Sequence, residues 1–327
     1  MRAIRFDSYG GPEVLTLVDI EIPEPGPGEV SIDVEYAGVN FAEVMFRRGQ
    51  FQPGTPHVPG LEVTGTVRAV GEGVDNLRPG QRVAALTLAG GGYAEVAVAR
   101  ERLTVALDGE LDAIPAPVAS AFPCNLPVSW AILHDVARVR EGESVLVLAG
   151  AGGVGSGAAQ IARNLGAGAV YGAVSSADKA RFAKEHFGYD EVFTYDELEQ
   201  RVEELTGGRG VDILLDSIGG PIRAKALDLL APLGRHVVFG NASQQDHTYE
   251  ANTMWYTAKT VAGYNIGGLA DQQPDLVHGH LVEAARQLAT GAVRIETTEL
   301  ALEDAVKAHE ILERRDSTGK FVLRVKA

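Results

Sequence analysis

The segment Ser144–Ala167, SVLVLAGAGGVGSGAAQIARNLGA, constrains the fold more than any other part of this 327-residue chain. It begins as a short apolar run, and the eight positions from Gly150 to Gly157 then include five glycines. Apolar residues recur at helical spacing from Val154 to Leu165, which predicts a helix with one apolar face. The segment therefore predicts a buried strand, a tight glycine turn and a helix.

The glycine turn itself matches a known ligand-binding pattern. Residues 150–155, Gly-Ala-Gly-Gly-Val-Gly, satisfy G-x-G-x-x-G between a predicted strand and a predicted helix. In that context Gly150 permits the turn, Gly152 lets a pyrophosphate approach the backbone, and Gly155 lets helix and strand pack closely. The phosphates would lie at the helix N-terminus, beside Gly153 and Val154, where unpaired N–H groups favour negative charge. A strand–helix turn without a ligand is the alternative; we favour a dinucleotide site.

The residues after the next strand bear on which dinucleotide binds. That strand is predicted to end at Val174, and Ser175 and Ser176 follow it, with Lys179 one helical turn later. An acidic residue here would hold the ribose 2′-hydroxyl of NAD, whereas hydroxyls and an ammonium suit a 2′-phosphate. Asp178 would favour NAD if it pointed at the ribose, but it is expected to cap the following helix. The segment therefore predicts NADPH, held in part by Ser175, Ser176 and Lys179.

The remaining pattern predicts two domains. The first third of the chain shows short alternating strands separated by glycine-rich turns, which is typical of a compact, largely antiparallel domain. After about residue 127, strands and helices alternate, which predicts a doubly wound parallel sheet of the Rossmann type. The fold class is therefore α/β with a second, mainly-β domain. We predict a discontinuous first domain at 1–122 and 265–327, and a nucleotide-binding domain at 123–264. The predicted strands are Val145–Leu148, Ala169–Val174, Val192–Thr194, Val211–Asp216 and His236–Phe239, and the predicted helices between them are Gly153–Leu165, Ala177–His186, Asp196–Leu205 and Pro221–Leu230.

The net charge and the cysteine content narrow the range of possible functions. The net charge of −15 disfavours nucleic acid as a partner, because polyanions would be repelled. Cys124 is the one cysteine, which excludes an internal disulfide and a cysteine-rich zinc site and fits a reducing cytoplasm. The two long charge-free stretches are broken by prolines or glycines, and the N-terminus shows no secretory signal. We expect a cytoplasmic protein with no membrane span and no metal.

Several motifs together resemble the zinc-independent quinone oxidoreductases of the medium-chain dehydrogenase/reductase superfamily. The resemblance covers nearly the whole chain, through AGVNFAEVMFRRGQF at 37–51, VPGLEVTGTVRAVGEGV at 58–74, GGYAEV at 91–96, AGAGGVG at 149–155, DSIGG at 216–220, FGNAS at 239–243 and the closing AHEILERRDSTGKFVL. It implies a GroES-like catalytic domain joined to a Rossmann domain, with the active site between them. It also implies NADPH as the hydride donor.

The resemblance further implies roles for individual residues. Ser129 stands where relatives usually have a threonine beside the nicotinamide, and Arg315 matches a position that approaches the adenosine phosphate. For Tyr195, an ordinary strand-end tyrosine is as good an interpretation as an adenosine contact, and Asn40 would otherwise satisfy a turn. The implied cofactor contacts are Asn40 near the nicotinamide, the glycine turn, Lys179, Tyr195, Phe239 and Asn241.

Two departures from related enzymes shape the expected reaction. Zinc alcohol dehydrogenases of the superfamily carry a cysteine where this chain has Val39-Asn40 and a histidine within Gly60-Leu61-Glu62, so no metal site is supported. Relatives commonly have tyrosine at Phe51, and phenylalanine cannot donate a proton. This departure argues against enoyl-thioester reduction and favours quinones as acceptors.

The sequence hypothesis is therefore hydride transfer from NADPH to a quinone or other conjugated carbonyl, without metal. Asn40 and Ser129 would orient the nicotinamide or the acceptor, and Phe46, Phe51 and Tyr264 would line the acceptor pocket. One alternative is an enone or enoyl-thioester double-bond reductase of secondary metabolism or detoxification. Another is a non-catalytic NADPH-binding protein with a structural or regulatory role. The alternating segment Thr260–Ile266 predicts a homodimer formed by sheet extension.

Overall fold

The structure, a computed structural model, describes residues 1–315 and 317–326. It divides into two compact units: Met1–Pro127 with Gly267–Gly291 and Ile295–Ala327, and Val128–Ile266 with Ala292–Arg294. Residues 123–127 thus belong to the first unit, not to the predicted nucleotide-binding domain. The reason is local, because the Cys124 N–H donates to Glu62 and the Asn125 amide donates to Asn40, both within the first unit.

The first unit is built on a seven-stranded sheet, and a separate two-stranded ladder joins β1 and β2. Its strands are β1 (Arg2–Arg5), β2 (Thr16–Asp19), β3 (Glu29–Gly38), β4 (Glu62–Val70), β5 (Arg82–Leu86), β6 (Val96–Arg100), β7 (Thr104–Ala106), β14 (Thr297–Ala301) and β15 (Lys320–Arg324). The sheet order is β14-β15-β3-β4-β5-β7, with β6 paired to β3, and among the described strands of this sheet only the β14–β15 pair is parallel. This confirms the mainly-β, largely antiparallel domain.

Alternation along β3 explains its place at the centre of this sheet. Val30, Ile32 and Val34 are fully buried and pack with Val63 and Val67 of β4 in one hydrophobic cluster. Short helices and turns close the unit: α1 (Phe41–Arg47), α2 (Ala116–Ala119), α9 (Ile266–Gln272), α10 (Pro274–Ala289), α11 (Ala305–Glu313), and 3-10 turns at Pro12–Val14, Glu101–Leu103, Gly109–Ala113 and Leu302–Asp304.

The second unit is a six-stranded parallel sheet wrapped by helices. Its strand order is β10-β9-β8-β11-β12-β13, the doubly wound order of a Rossmann fold, which confirms the predicted class. The order reverses between β8 and β11, so their carboxyl ends flank the switch point where ligands bind in such sheets. The elements are β8 (Ser144–Leu148), α4 (Gly153–Asn164), β9 (Ala169–Val174), α5 (Ala177–His186), β10 (Glu191–Thr194), α6 (Leu198–Thr206), β11 (Val211–Asp216), α7 (Gly220–Ala226), β12 (Leu230–Val238), α8 (Ala251–Thr257) and β13 (Thr260–Gly263), preceded by α3 (Leu126–Ala131) and a π-helical turn at Ile132–Ala137.

Two predicted elements of this unit differ from the structure by more than two residues at one end. The helix predicted to run to Leu230 ends at Ala226, and β12 begins at Leu230 rather than His236. Pro232 and Gly234 disfavour a strand in the sequence, yet Leu230 pairs with Val211 before the register shifts. In the described ranges, no helix has the length and apolar character that crossing a bilayer requires.

Candidate cofactor site and buried polar network

The turn after β8 leaves the start of α4 open. Ala149 adopts a left-handed conformation with φ of 54°, which turns the chain away from the sheet. Gly152 is the N-cap of α4, and no side chain caps the helix there. The first N–H groups of a helix have no partner within it, so this end presents donors and a positive dipole.

Close packing explains the glycines on either side of the opening. A Cβ on Gly155 would lie 2.5 Å from the Ala149 oxygen and 2.9 Å from the Gly150 Cα, both backbone atoms. A Cβ on Gly150 would lie 2.9 Å from the Tyr189 hydroxyl, which donates to the carbonyls of Gly150 and Gly155 at 3.1 and 2.8 Å. Tyr189 therefore supports the turn, and the close packing at Gly150 and Gly155 leaves no space for a side chain at either position.

This geometry fits a pyrophosphate. The uncapped helix N-terminus supplies donors, and Gly152 and Gly153 at its start have no side chain that would block an approaching phosphate. The predicted cluster of Gly150, Gly152, Gly153, Val154 and Gly155 thus forms one continuous turn at the carboxyl end of β8.

The residues predicted to select the dinucleotide lie at the carboxyl end of β9. Ser175 is exposed, and Ser176 and Lys179 are half-buried at the start of α5. The expectation that Asp178 caps α5 is wrong: Ser176 is the N-cap, and its hydroxyl accepts from the Lys179 N–H at 3.4 Å. Asp178 is exposed, lies two residues after the N-cap and pairs instead with Arg181 at 2.5 Å.

Two further residues that were predicted to contact the cofactor lie against the glycine turn. The Tyr195 hydroxyl accepts from the Ala149 N–H at 3.0 Å, so this side chain lies beside the turn. Ser129 is fully buried, and its hydroxyl donates to the Val154 carbonyl at 2.9 Å. Both residues therefore support the first turn of α4, and their contact with a cofactor stays a prediction.

Phe239 and Asn241 lie in the loop after β12. The Phe239 N–H donates to the Asp216 carbonyl at 2.9 Å, which places the loop against the end of β11. The Asn241 Oδ1 accepts from the Ser243 hydroxyl at 3.2 Å. Tyr264, predicted for the acceptor pocket, is half-buried and its N–H donates to the Val238 carbonyl at 3.0 Å. The structure thus brings the predicted loop residues to the carboxyl side of the sheet.

In the first unit, Asn40 is the centre of a buried polar network. Its amide nitrogen donates to Glu62 at 2.9 Å and to Glu43 at 3.2 Å. Its amide oxygen accepts from Asn125 at 2.9 Å and from the Lys320 ammonium. Two donor hydrogens and two lone pairs are the full capacity of an asparagine side chain. Asn40 therefore has a structural role in this network, and its contact with the nicotinamide stays a prediction.

The charges of this network are two carboxylates and one ammonium. Lys320 lies 2.5 Å from Glu62, and all three charged side chains are buried. Glu43 accepts from the N–H groups of Asn40 and Leu61 at 2.6 and 2.9 Å. Burial raises the pKa of Glu43 to about 7, against the opposing attraction of Lys320. Burial thus moves the titration of Glu43 toward neutral pH.

The other predicted residues of the first unit are less enclosed. Phe46 and Phe51 meet edge to face with centroids 5.4 Å apart, and Phe51 is 58% exposed. Arg315 is exposed, with φ of 57° just past α11. Cys124 is half-buried, and burial raises the pKa of its thiol, so it stays a protonated thiol. In residues 1–315 and 317–326, no three His, Cys, Asp or Glu side chains form a group suited to a metal ion.

Comparison with known proteins identifies the class. Residues 26–109 match the family model for the alcohol dehydrogenase GroES-like domain, and residues 153–279 match that for zinc-binding dehydrogenase. A quinone oxidoreductase of Pseudomonas aeruginosa is 35% identical, covering 98% of this chain and 99% of that protein. The fold and the glycine turn thus define a two-domain dehydrogenase/reductase of the medium-chain superfamily.

Two solved structures narrow the class to a family. A quinone oxidoreductase from Pseudomonas syringae pv. Tomato matches with a TM-score of 0.91 and 34% identity over 99% of both chains. An Escherichia coli quinone oxidoreductase complexed with NADPH matches with a TM-score of 0.90 and 30% identity over 99% of this chain and 100% of that one. The chain belongs to the quinone oxidoreductase family.

Sequence reasoning missed two sets of buried charged residues. Glu43, Glu62 and Lys320 surround Asn40, and Asp216 and Arg223 join the loops after β11 and β12. Asn40 followed by Glu43 three residues later is the spacing of a capping box, and in the structure Glu43 accepts from the Asn40 N–H as that motif predicts, so this signal was readable. The partners Glu62 and Lys320 come from distant strands, and no local pattern links them.

Proposed function

We propose that this chain is an NADPH-dependent quinone oxidoreductase that transfers hydride to a quinone or another conjugated carbonyl. The observation that carries the proposal is the glycine-rich turn at the end of β8, whose following helix has no side-chain cap. The proposal is also supported by a relative: the 30% identical quinone oxidoreductase whose structure was solved with NADPH. The proposed location is the cytoplasm, supported by the single reduced cysteine.

The residues contribute binding and orientation. When bound, the nicotinamide supplies the hydride, which is the chemistry of the coenzyme rather than of a side chain. The first turn of α4 binds the pyrophosphate, with Tyr189, Tyr195 and Ser129 fixing the backbone around it. Holding two reactants in one geometry accounts for up to about 7–11 kcal/mol of barrier reduction. Phe46, Phe51 and Tyr264 are proposed to contact the acceptor.

Lys179 is proposed to select NADPH over NADH. It lies with Ser175 and Ser176 at the end of β9, where a ribose 2′ substituent lies in folds of this class. Asp178 is turned to Arg181, so the nearest carboxylate does not compete for the ribose. An ammonium facing a phosphate gives a charge-assisted hydrogen bond that NADH lacks.

The test is NADPH oxidation in the presence of 1,4-benzoquinone, followed by absorbance. Lys179→Ala should raise the KM for NADPH about tenfold, the scale of one charge-assisted hydrogen bond, and leave the KM for NADH unchanged. Lys184→Ala is the matched control in the same helix, because Lys184 pairs with Glu191 instead. Turnover of an enoyl thioester without turnover of quinone would favour the double-bond reductase. NADPH binding without oxidation by any acceptor would favour the non-catalytic alternative.

We also propose that two copies associate through the β13 edge of the parallel sheet. β13 pairs with β12 on one side and is the terminal strand of that sheet. Near it, Leu233, Trp255 and Tyr256 are 74%, 72% and 76% exposed, and the Leu233 N–H donates to Ala258 in the same segment. An open strand edge beside exposed aromatics suits a second copy of the same chain related by a two-fold axis.

A further inference from the structure

The carboxylate of Asp216 is the buried centre of a second polar cluster, in the parallel-sheet unit. Asp216 is the last residue of β11 and is fully buried. Its Oδ1 accepts from the N–H groups of Ile218 and Gly219 at 2.7 and 3.0 Å, and its Oδ2 accepts from Arg223 at 2.7 Å. His236 Nε2 lies 3.2 Å from the same Oδ2. The Asp216 carboxylate thus forms hydrogen bonds to its own loop, to α7 and to β12.

The tautomer of His236 follows from its partners. A carboxylate accepts and does not donate, so Nε2 carries the proton toward Asp216. Nδ1 then accepts from the Tyr249 hydroxyl at 3.2 Å, which extends the chain of hydrogen bonds beyond the loop. Burial raises the pKa of Tyr249 to about 12, so this hydroxyl keeps its proton. Burial alone would raise the pKa of Asp216, but the bonds from His236 and Arg223 lower it to about 2.

Arg223 joins this cluster to the loop after β12. Its side chain is buried, and its second terminal nitrogen donates to the Gly240 carbonyl at 2.5 Å. Its other terminal nitrogen lies 3.5 Å from the exposed carboxylate of Asp246. The guanidinium therefore bridges the end of β11 and both ends of loop 239–246, the loop that carries Phe239 and Asn241.

The two loops lie in direct contact. The N–H groups of Ala242 and Ser243 donate to the carbonyls of Ser217 and Ile218 at 3.0 and 2.8 Å. A Cβ on Gly219 would lie 2.3 Å from the Asn241 Oδ1, so only glycine allows this approach. Any shift of the Asp216 cluster is thus passed to Asn241 through contact rather than through solvent.

We propose that Asp216, Arg223 and His236 are positioning residues for NADPH, acting by holding the loop of Phe239 and Asn241 at the carboxyl end of the sheet. The proposal rests on the proposed function for the identity of the coenzyme. It assigns the cluster no contact with substrate or coenzyme. Preorganised supporting residues of this kind set how well a binding group is placed.

The test compares two arginines of the same unit, Arg223 of α7 and Arg235 of β12. Arg223→Lys keeps the charge but loses the fork that reaches both Asp216 and Gly240. Arg235→Lys is the matched control, since Arg235 pairs with Glu143 at 2.6 Å and with the Ala137 carbonyl at 3.0 Å, contacts that involve neither loop. We expect Arg223→Lys to raise the Kd for NADPH about tenfold and to speed amide hydrogen exchange in 239–246. Arg235→Lys should leave both unchanged.

A second variant keeps the test decisive if Arg223→Lys unfolds. Asp216→Asn combined with Arg223→Gln removes both buried charges together, so no unpaired charge remains. It should fold, as judged by circular dichroism, and show the same loss of NADPH affinity while the KM for quinone stays within about twofold of wild type.

Folded variants with wild-type Kd and wild-type exchange would overturn the proposal while leaving the proposed function untouched. A wild-type chain that binds NADPH but reduces no quinone would contradict the proposed function, and the Kd comparison would still decide on the cluster. A wild-type chain that binds no NADPH would overturn both.

Discussion

At the scale of single residues, the buried charges around Asn40 are the most demanding feature of the first unit. Two carboxylates lose their hydration there, and hydrogen bonds plus one ammonium replace it. Sequence reasoning ranked Asn40 by its resemblance to a cofactor contact. It gave no weight to Glu43, Glu62 or Lys320, because charged residues in a sequence are ordinarily exposed.

Removing the ammonium of this network should be costly. We expect Lys320→Met to lower the free energy of unfolding by about 3–5 kcal/mol, because it leaves buried Glu62 without its charged partner. Lys326→Met is the control, since Lys326 is 52% exposed and lies 3.8 Å from Asp33, and it should change stability by less than about 0.5 kcal/mol. Urea unfolding of both variants measures the difference. Equal midpoints would show that Lys320 contributes no more than a surface charge.

The raised pKa of Glu43 makes a prediction about pH. A carboxyl whose folded pKa is about 7 and whose ordinary value is 4.5 binds its proton more tightly in the folded chain. Its contribution is therefore fully present below pH 4.5 and is lost as the pH rises to about 7. The loss is about 3 kcal/mol in order of magnitude.

Glu43→Gln should abolish that part of the pH dependence. In urea titrations between pH 4.5 and 7, the unfolding free energy of wild type should fall relative to that of Glu43→Gln as the pH rises. Glu110→Gln, at an exposed position, serves as the control and should follow wild type. Parallel curves for Glu43→Gln and wild type would contradict the buried proton.

At the scale of elements, the parallel-sheet unit was largely readable from the sequence. β9, β11 and α5 have the predicted bounds, because each is a buried apolar run or a clearly capped helix between turn residues. β12 was not readable, since Pro232 and Gly234 interrupt its pattern and pairing with β11 decides it. Likewise, the Asp216 carboxylate contacts Arg223 and His236, which lie 7 and 20 positions away, and no local period encodes such contacts.

Two glycine substitutions should have opposite effects on helix stability. Gly155→Ala should destabilise the chain by about 1–3 kcal/mol, since its Cβ would lie 2.5 Å from backbone that cannot move aside. Gly279→Ala, in the exposed face of α10 with no atom within 4 Å, should stabilise it by about 0.5–1 kcal/mol. Thermal unfolding compares the two, and NADPH affinity should fall only for Gly155→Ala. Stabilisation by Gly155→Ala would contradict the close packing of the turn.

At the scale of the whole molecule, the chain combines a strong negative charge with a local apolar patch. The net charge is −15, which opposes association unless a specific surface compensates. The exposed Trp255 and Tyr256 rings contact one another with centroids 4.6 Å apart beside the edge of the parallel sheet. Sequence alternation pointed to this edge, while the aromatic patch next to it became visible only in the fold.

Light scattering of the purified chain should therefore give twice the mass of one copy. Trp255→Glu combined with Tyr256→Glu should give the monomer mass, because it places carboxylates on the proposed interface. Leu17→Glu, at a 45% exposed leucine of the first unit, should remain a dimer. A monomeric wild type would contradict the dimer, and a dimeric double variant would contradict this surface.

The hydroxyl of Tyr189 occupies the space that a methyl group on residue 150 would need. The identities of these two residues are therefore linked by volume although 39 positions separate them. Tyr189→Phe removes the hydroxyl and makes room for alanine at position 150. The loss of unfolding free energy in the double variant should therefore be smaller than the sum of the losses in the two single variants. An evolving or engineered lineage would then gain alanine in this turn most readily after it had given up the tyrosine.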